Sequence, residues 1–273
     1  MIIIFELVGL SIFFIIMTLG FGGIYSIIRE RSCINIQKTI GANGFLLFSF
    51  IGTPVHELSH YIACKVFFHK VTKVVLFSPK SWKASGTMGC VEHSYNPKKI
   101  YQLAGNFIIG VAPVIGGVGV CSLIMKYFLG GISKFIPVGN SLSITLIINS
   151  LKNMFVGIIG IFSVGNLILP IFWIMLFVLI NIFLHVSLSK ADFKNAYIGI
   201  IFFIILIPLI GYILSFSGIP MESFIMWCFK VNFYFLFILL FGLIIDLLIW
   251  VLSICAFNIK KIYYKKKKGL IIK

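Results

Sequence analysis

The sequence has little charge and very little acid. Only 11% of its 273 residues are Asp, Glu, Lys or Arg, and only seven are acidic. Soluble domains typically carry about 25% charged residues, so this composition, with a mean hydropathy of +1.11, excludes an ordinary soluble protein. The six cysteines form no Cys-x-x-Cys pair, so neither a disulfide framework nor a cysteine-based metal site is expected. Without an internal repeat or a Ser/Gly-rich linker, the chain is predicted to be one domain, 1–259, followed by a basic tail, 260–273.

Long apolar runs occupy most of the chain. Six runs are long enough to cross the roughly 30 Å hydrocarbon core of a membrane, at 5–28, 41–64, 100–125, 153–186, 197–217 and 225–256. We therefore predict an all-α polytopic membrane protein with about six transmembrane helices. After the second run, 71–77 and 86–93 have the pattern of short strands on either side of a turn-like Ser-Pro-Lys-Ser segment, which predicts a short β-hairpin.

The formal net charge of +16 indicates topology and not nucleic-acid binding, because the basic residues concentrate in loops and in the tail. The positive-inside rule places the tail and the 70–99 loop in the cytoplasm, and the tail would also contact anionic lipid headgroups. Six spans counted back from a cytoplasmic C-terminus place the N-terminus inside too, but they leave Arg29, Arg31 and Lys38 outside. Either the first segments do not all cross, or the 41–64 segment enters the membrane and returns.

The main chemical motif is His56-Glu57-Leu58-Ser59-His60. It lies in an apolar stretch from Gly41 to Cys64, in which Glu57 is the only formally charged residue. On a helix, His56 and His60 share one face and can both bind one Zn²⁺, while Glu57 lies beside the water that such a metal activates. The composition yields this motif by chance in roughly 0.2% of such chains, and ionisable groups at membrane depth are costly. We therefore expect a metal site, with a degenerate site or a hydrogen-bonded polar cluster as the alternative.

Catalytic zinc usually takes three protein ligands, and Asp192 is the preferred third. The 154–186 run is longer than a crossing requires and is interrupted by Asn and Pro, so its end is expected to bend back and carry Asp192 to the metal. A loop aspartate balanced by Lys190 and Lys194 is the alternative. Asp246, deep in the last apolar run, is the second choice of ligand.

Three further residues are candidates for supporting roles. His93 ends the predicted hairpin and would orient substrate or stabilise an oxyanion if the hairpin folds back; otherwise it is a surface histidine. His185 is a candidate partner of Asp192 or an interfacial histidine. Asn106 would hydrogen-bond a substrate backbone, and it lies on a segment whose glycines permit close packing against the motif helix.

Three segments resemble the site-2 protease family of intramembrane metalloproteases, and in particular small bacterial zincin-like membrane proteins. They are Thr53-Pro54-Val55-His56-Glu57-Leu58-Ser59-His60, His93-Ser94-Tyr95-Asn96-Pro97 and Ser187-Leu188-Ser189-Lys190-Ala191-Asp192, within a likeness that covers roughly residues 41–195. The resemblance implies that His56 and His60 bind zinc, that Glu57 is the catalytic base, that Asp192 replaces the family's distal aspartate ligand, and that the protein is in a bacterial plasma membrane. The family's aspartate normally precedes glycine, whereas Phe193 follows it here.

The sequence thus predicts an intramembrane zinc endopeptidase that hydrolyses peptide bonds of a membrane protein or peptide. Two alternatives remain. One is a membrane-anchored zincin that cleaves soluble or misfolded proteins at the cytoplasmic face. The other is a transporter or assembly factor with a degenerate metal site, although the absence of duplicated halves disfavours a transporter.

Overall fold

The computed structural model describes residues 2–128 and 142–271. Within these ranges the chain forms nine α-helices and one two-stranded antiparallel sheet. In chain order the elements are α1 (Ile2–Leu46), α2 (Gly52–Val66), β1 (Lys70–Val75), α3 (Pro79–Ser85), β2 (Cys90–Ser94), α4 (Ile100–Phe128), α5 (Ile144–Ile161), α6 (Val164–Leu167), α7 (Pro170–Phe183), α8 (Lys190–Phe216) and α9 (Met221–Ile271). Most of the predicted basic tail continues α9, and Lys273 lies outside the described residues.

The class predicted from the sequence is confirmed: this is an all-α, multi-pass membrane fold with a small sheet. In the described part of the chain, five helical segments are long and apolar enough to cross a membrane, in place of the six expected. These segments are Ile3–Leu46, Ile100–Tyr127, Ile144–Leu167, Lys190–Phe216 and Met221–Lys267.

The predicted second span, 41–64, is not a separate crossing. Its first residues continue α1, which runs without a break through the charged segment 29–31 and kinks at Gly41, where φ is 78°. Arg and Glu are good helix formers, so their charge does not end the helix. The motif-bearing α2 has 15 residues, about 22 Å of helix, which is too short for a core of about 30 Å. The motif helix therefore packs within the bundle and does not cross it.

The predicted long span, 153–186, is broken into pieces. α5 ends at Ile161, α6 is a single short turn, and Pro170 opens α7 at the first helical position, where its missing N–H needs no partner. The chain then leaves α7 at Phe183 and reaches α8 through an extended segment. This break sets the position of Asp192, because it brings the first turn of α8 back toward α2.

α1 and α9 pack side by side and run in the same direction. The Asn232 amide is 3.5 Å from the Leu10 carbonyl, the Tyr25 hydroxyl donates to Leu239 O, and the Lys260 ammonium donates to Lys38 O. The contacting residues thus follow the same order along both helices, which is the pattern of a parallel pair. The two chain ends consequently lie at opposite ends of the helix pair, so the expectation that both termini are on one side is wrong. The five candidate spans of residues 2–128 and 142–271, an odd number, agree with this arrangement. The parallel packing also places the basic residues 29, 31 and 38 toward the same end as the tail.

The predicted hairpin is present directly after the motif helix. β1 and β2 pair antiparallel, with Val71 opposite His93 and Val75 opposite Cys90. The connection is a short helix, α3, and not a tight turn: Ser78 caps it by accepting a hydrogen bond from the Ser81 amide.

Candidate metal centre

Two helices bring together the three side chains predicted to bind metal. α2 places His56 and His60 one turn apart, with ring centroids separated by 5.0 Å, and α8 supplies Asp192 from its first turn. The Nε2 atom of His60 is 3.1 Å from Asp192 Oδ1. One ligand atom from each of the three residues lies within 4.8 Å of the others. Residues separated by more than 130 positions thus form one compact donor set.

Backbone carbonyls orient both imidazole rings. His56 Nδ1 is 2.8 Å from the carbonyl oxygen of His185, and His60 Nδ1 is 2.9 Å from that of Ile109. A carbonyl accepts only, so each Nδ1 carries the proton and donates it. In the neutral ring the lone pair on Nε2 is then available to bind a metal. Histidines that bind metals characteristically donate their other N–H to such a partner, which fixes tautomer and ring orientation.

Asp192 is held by the start of its own helix. Its Oδ2 accepts a hydrogen bond from the Ser189 amide at 2.7 Å, while the Ser189 hydroxyl accepts from the Asp192 amide at 3.2 Å. This reciprocal capping box leaves Oδ1 to face His60. Gly110 on α4 allows the close approach of α8, because a Cβ at that position would lie 2.5 Å from the Asp192 carbonyl oxygen.

The residues present fit a zinc ion. Two imidazole nitrogens and one carboxylate oxygen form the three-ligand set that catalytic zinc takes, with a fourth position left open. His60 Nε2 and Asp192 Oδ1 lie 3.1 Å apart. Either a proton on Nε2, which makes an ion pair, or a cation that both atoms coordinate is compatible with this contact.

Glu57 faces a polar cavity beside this donor set. The cavity has a volume of about 240 Å³ and is lined by residues of α1, α2, the α3–β2 loop and the α7–α8 connection: Ser26, Arg29, Thr53, His56, Glu57, Gly86, Thr87, Met88, Gly89, His185, Ser187, Leu188 and Ser189. Gly89 packs on the Glu57 stem so closely that an added Cβ would lie 2.6 Å from Glu57 Cγ. The hairpin therefore defines the position of the glutamate.

Arg29 is a cavity residue that sequence reasoning treated only as a topology signal. Its Nε is buried and has no hydrogen-bond partner within the described protein. An arginine at membrane depth is expected to face a water-filled cavity or a partner, and its position within a long apolar helix was the available signal. Arg29 offers donors to a carbonyl or carboxylate that enters the cavity.

The other predicted residues have different surroundings from those expected. His185 contacts His56 and not Asp192: its carbonyl accepts from His56, and its own Nδ1 donates to Asn181 O at 2.9 Å. Asn106 is fully buried, and the structure places it one helical turn before the carbonyl that orients His60.

Asp246 is also fully buried, but it does not share the donor set. Its two carboxylate oxygens have no hydrogen-bond partner among the described residues, and the metal-type groupings in the described chain do not include it. The geometry therefore favours Asp192 over Asp246 as the third ligand.

His93 lies in a second group, away from the cavity lining. Its Nδ1 is 3.1 Å from Nδ1 of His69, and these two histidines share a neighbourhood with Cys64. The cysteine spacing indicated no thiolate site, because a group built from a helix end, a loop and a strand leaves no spacing pattern in the sequence.

Comparison with known proteins gives no further assignment, since no family model, curated protein or solved structure matches this chain. The resemblance to site-2 proteases therefore remains a prediction based on the three short segments.

Proposed function

We propose that this protein is a membrane-embedded zinc endopeptidase that hydrolyses peptide bonds of membrane-associated proteins. The observation that supports it best is the donor set: His56, His60 and Asp192 each place one ligand atom within 4.8 Å of the others. The Nδ1–H groups of both histidines donate to backbone carbonyls, so in the neutral rings both Nε2 lone pairs are available to a metal. Glu57 beside this set supplies a general base of the type that zincins use.

The chemistry divides between the metal ligands and Glu57. When bound, Zn²⁺ supplies Lewis-acid chemistry, which polarises a carbonyl and favours nucleophilic water at neutral pH. Glu57 accepts the proton of the attacking water and then donates it to the leaving amine. Glu57 is buried, and Gly89 packs against its stem from the hairpin side. Arg29 is placed to bind a substrate carbonyl or carboxylate in the same cavity.

The position of the cavity supports cleavage in the half of the membrane nearer to the basic tail. Its α1 residues, Ser26 and Arg29, lie closer along the helix to Lys38 than to Glu6. We place this half at the cytoplasmic face, where the tail would also contact anionic headgroups. A substrate helix must unwind to expose its carbonyls, and pairing with a free edge of the β1–β2 hairpin would offset part of that cost.

One observation favours a second candidate, a zincin acting on soluble or misfolded proteins. The site cavity shares Ser26, Arg29, Gly86 and Met88 with a neighbouring polar cavity of about 450 Å³ between α1 and α3. Such a connected polar path would admit an extended chain from the aqueous side without any need to pass through lipid.

The test uses Glu57→Gln, which keeps the side-chain size and removes the base. General bases contribute roughly 10²- to 10⁴-fold, so cleavage should fall by that factor while zinc stoichiometry stays unchanged. Glu92→Gln is the matched control, because Glu92 is exposed on the hairpin and its carboxylate pairs with the exposed Lys73. New N-termini are mapped by mass spectrometry in cells that express wild type or either variant.

The location of those N-termini separates the candidates. Cleavage within or beside transmembrane segments that depends on Glu57 supports the first function, and cleavage in soluble segments supports the second. Proteolysis that persists at full rate in Glu57→Gln contradicts both.

A further inference from the structure

A second group of metal-type ligands lies at the opposite end of the motif helix from His56. Cys64 is in the last turns of α2, His69 follows that helix, and His93 is on β2. One donor atom from each residue lies within 4.8 Å of the others. Cys64 and His69 are buried, and His93 is half-buried. The group therefore joins a helix, a loop and a strand at one point.

The tautomer of His69 is fixed in a form suited to metal binding. Its Nε2 is 2.9 Å from the Gln102 carbonyl oxygen, so Nε2 carries a proton and donates it. In the neutral ring, Nδ1 then presents a lone pair toward His93.

The surrounding side chains hold this geometry firmly. The side-chain amide nitrogen of Gln102 donates to the Phe68 carbonyl at 2.7 Å. The side-chain oxygen of Gln102, Oε1, accepts from the backbone N–H of Asn96 at 2.7 Å. The Tyr95 ring stacks on His69 at 5.2 Å. A histidine whose far nitrogen is anchored in such a network has the orientation typical of a metal ligand.

The backbone carries strain at the same place. Phe68 has φ of 56° and is the only non-glycine residue with positive φ in the described chain. That left-handed conformation is strained for a residue other than glycine. It turns the chain sharply at the end of α2, and the His69 amide then donates to the Cys64 carbonyl at 2.8 Å. Strain of this kind is commonly associated with ligand sites.

We propose that Cys64, His69 and His93 bind a second Zn²⁺, which fastens the hairpin to the end of the motif helix. One thiolate and two imidazoles suit this borderline-soft ion. A hydrogen bond between the two histidines alone would satisfy the rings, and Cys64 packs beside Ala63 and Ile109. Neither contact requires the Cys64 sulfur to lie within 4.8 Å of donor atoms from both histidines, as it does. Zinc binding releases the thiol proton of Cys64 to solvent, and no redox step is involved.

This site would support the first one mechanically. His93 is on β2, and Gly89, just before that strand, packs on Glu57. A metal that fixes β2 against α2 would therefore also fix the wall that positions Glu57. The inference does not depend on proteolysis, because it concerns metal binding alone.

Cobalt binding provides the test. Full-length protein in detergent is stripped of metal and titrated with Co²⁺, whose complexes with thiolates show a charge-transfer absorption that histidine and carboxylate ligands do not give. Wild type should bind two equivalents, one of which produces this absorption. Cys64→Ser should lose that absorption and one equivalent, as should His93→Gln, whereas Cys255→Ser, at an exposed position outside the group, should change neither.

The first metal centre can be separated in the same experiment. His56→Ala should lose one equivalent and keep the thiolate absorption. If the absorption appears in wild type while His56→Ala loses no metal, the first centre is wrong and the second stands. Two results would overturn the second site. One is a monodisperse, helical wild-type protein that shows no thiolate absorption, and the other is an absorption that survives in Cys64→Ser.

Discussion

The two oxygens of Asp192 have different partners, and this allows its proposed metal role to be separated from its structural role. Oδ2 belongs to the capping box with Ser189, whereas Oδ1 faces His60. In Asp192→Asn the amide oxygen can still accept from the Ser189 backbone, but the negative charge toward His60 is lost. The substitution therefore removes the ligand and leaves most of the cap.

The expected magnitudes differ enough to be resolved. Loss of an outer partner of a metal ligand typically costs 10- to 100-fold in affinity, so loss of the ligand itself should cost at least about 100-fold, or about 2.7 kcal/mol. Ser189→Ala is the matched control: it removes the other half of the cap, which costs about 1 kcal/mol of stability. It leaves Oδ1 in place, so zinc affinity should change by less than about tenfold.

The assay combines chelator competition for Zn²⁺ with unfolding followed by circular dichroism in detergent. Zinc that binds only the folded state raises stability by an amount that depends on its affinity, so added zinc should stabilise wild type and Ser189→Ala but not Asp192→Asn. Asp246→Asn should behave as wild type. Equal zinc affinity in Asp192→Asn and wild type would refute the ligand assignment, and a loss only in Asp246→Asn would transfer it to that residue.

Three further predictions concern glycines and topology. Gly52→Ala should reduce zinc affinity at least tenfold without altering a ligand, because the added Cβ would collide with the Asn181 carbonyl and separate α2 from α7. Gly119→Ala is the control in the zinc titration, since a Cβ at position 119 would meet no atom within 4 Å. Gly89→Ala should slow cleavage about 10²-fold with zinc retained, since it displaces Glu57. Tags on the two termini should be digested by protease from opposite membrane faces; digestion of both from one face would contradict the parallel α1–α9 packing.

The parts of this protein that sequence reasoning predicts well are local. The spacing of His56 and His60 defines one helix face wherever the helix lies. The hairpin follows from two short strand patterns, and the composition alone indicates a membrane protein. Asp192 was a non-local expectation based on a bend at the end of the 154–186 run. The structure brings Asp192 to within 3.1 Å of His60, although the run is divided into separate helices and is not one long span.

The parts that sequence reasoning missed depend on backbone atoms and on helix continuity. The carbonyls of Ile109 and His185 orient the motif histidines, but a carbonyl is present at every residue and leaves no signal in the sequence. The continuous α1 was missed because the charged residues near Arg29 resemble a loop between two spans. Arg29 and Glu30 instead line polar cavities within the fold.

The short motif helix shows how the two proposed sites depend on the same packing. α2 is too short to cross the membrane. Its outer residues, such as Leu58 and Ile62, are exposed, so they do not fix the position of the helix. Its position is set at the first end by Gly52 against α7 and at the other by the strained turn at Phe68. A shift at either end moves the histidines relative to the carbonyls of Ile109 on α4 and His185 in the α7–α8 connection. Replacing a side chain by alanine leaves those backbone carbonyls in place. Adding a methyl group at Gly52 instead pushes α2 away from α7 and so lengthens the distance between the histidine rings and the carbonyls. Small-to-large substitutions at packed glycines should therefore test how the site is held together.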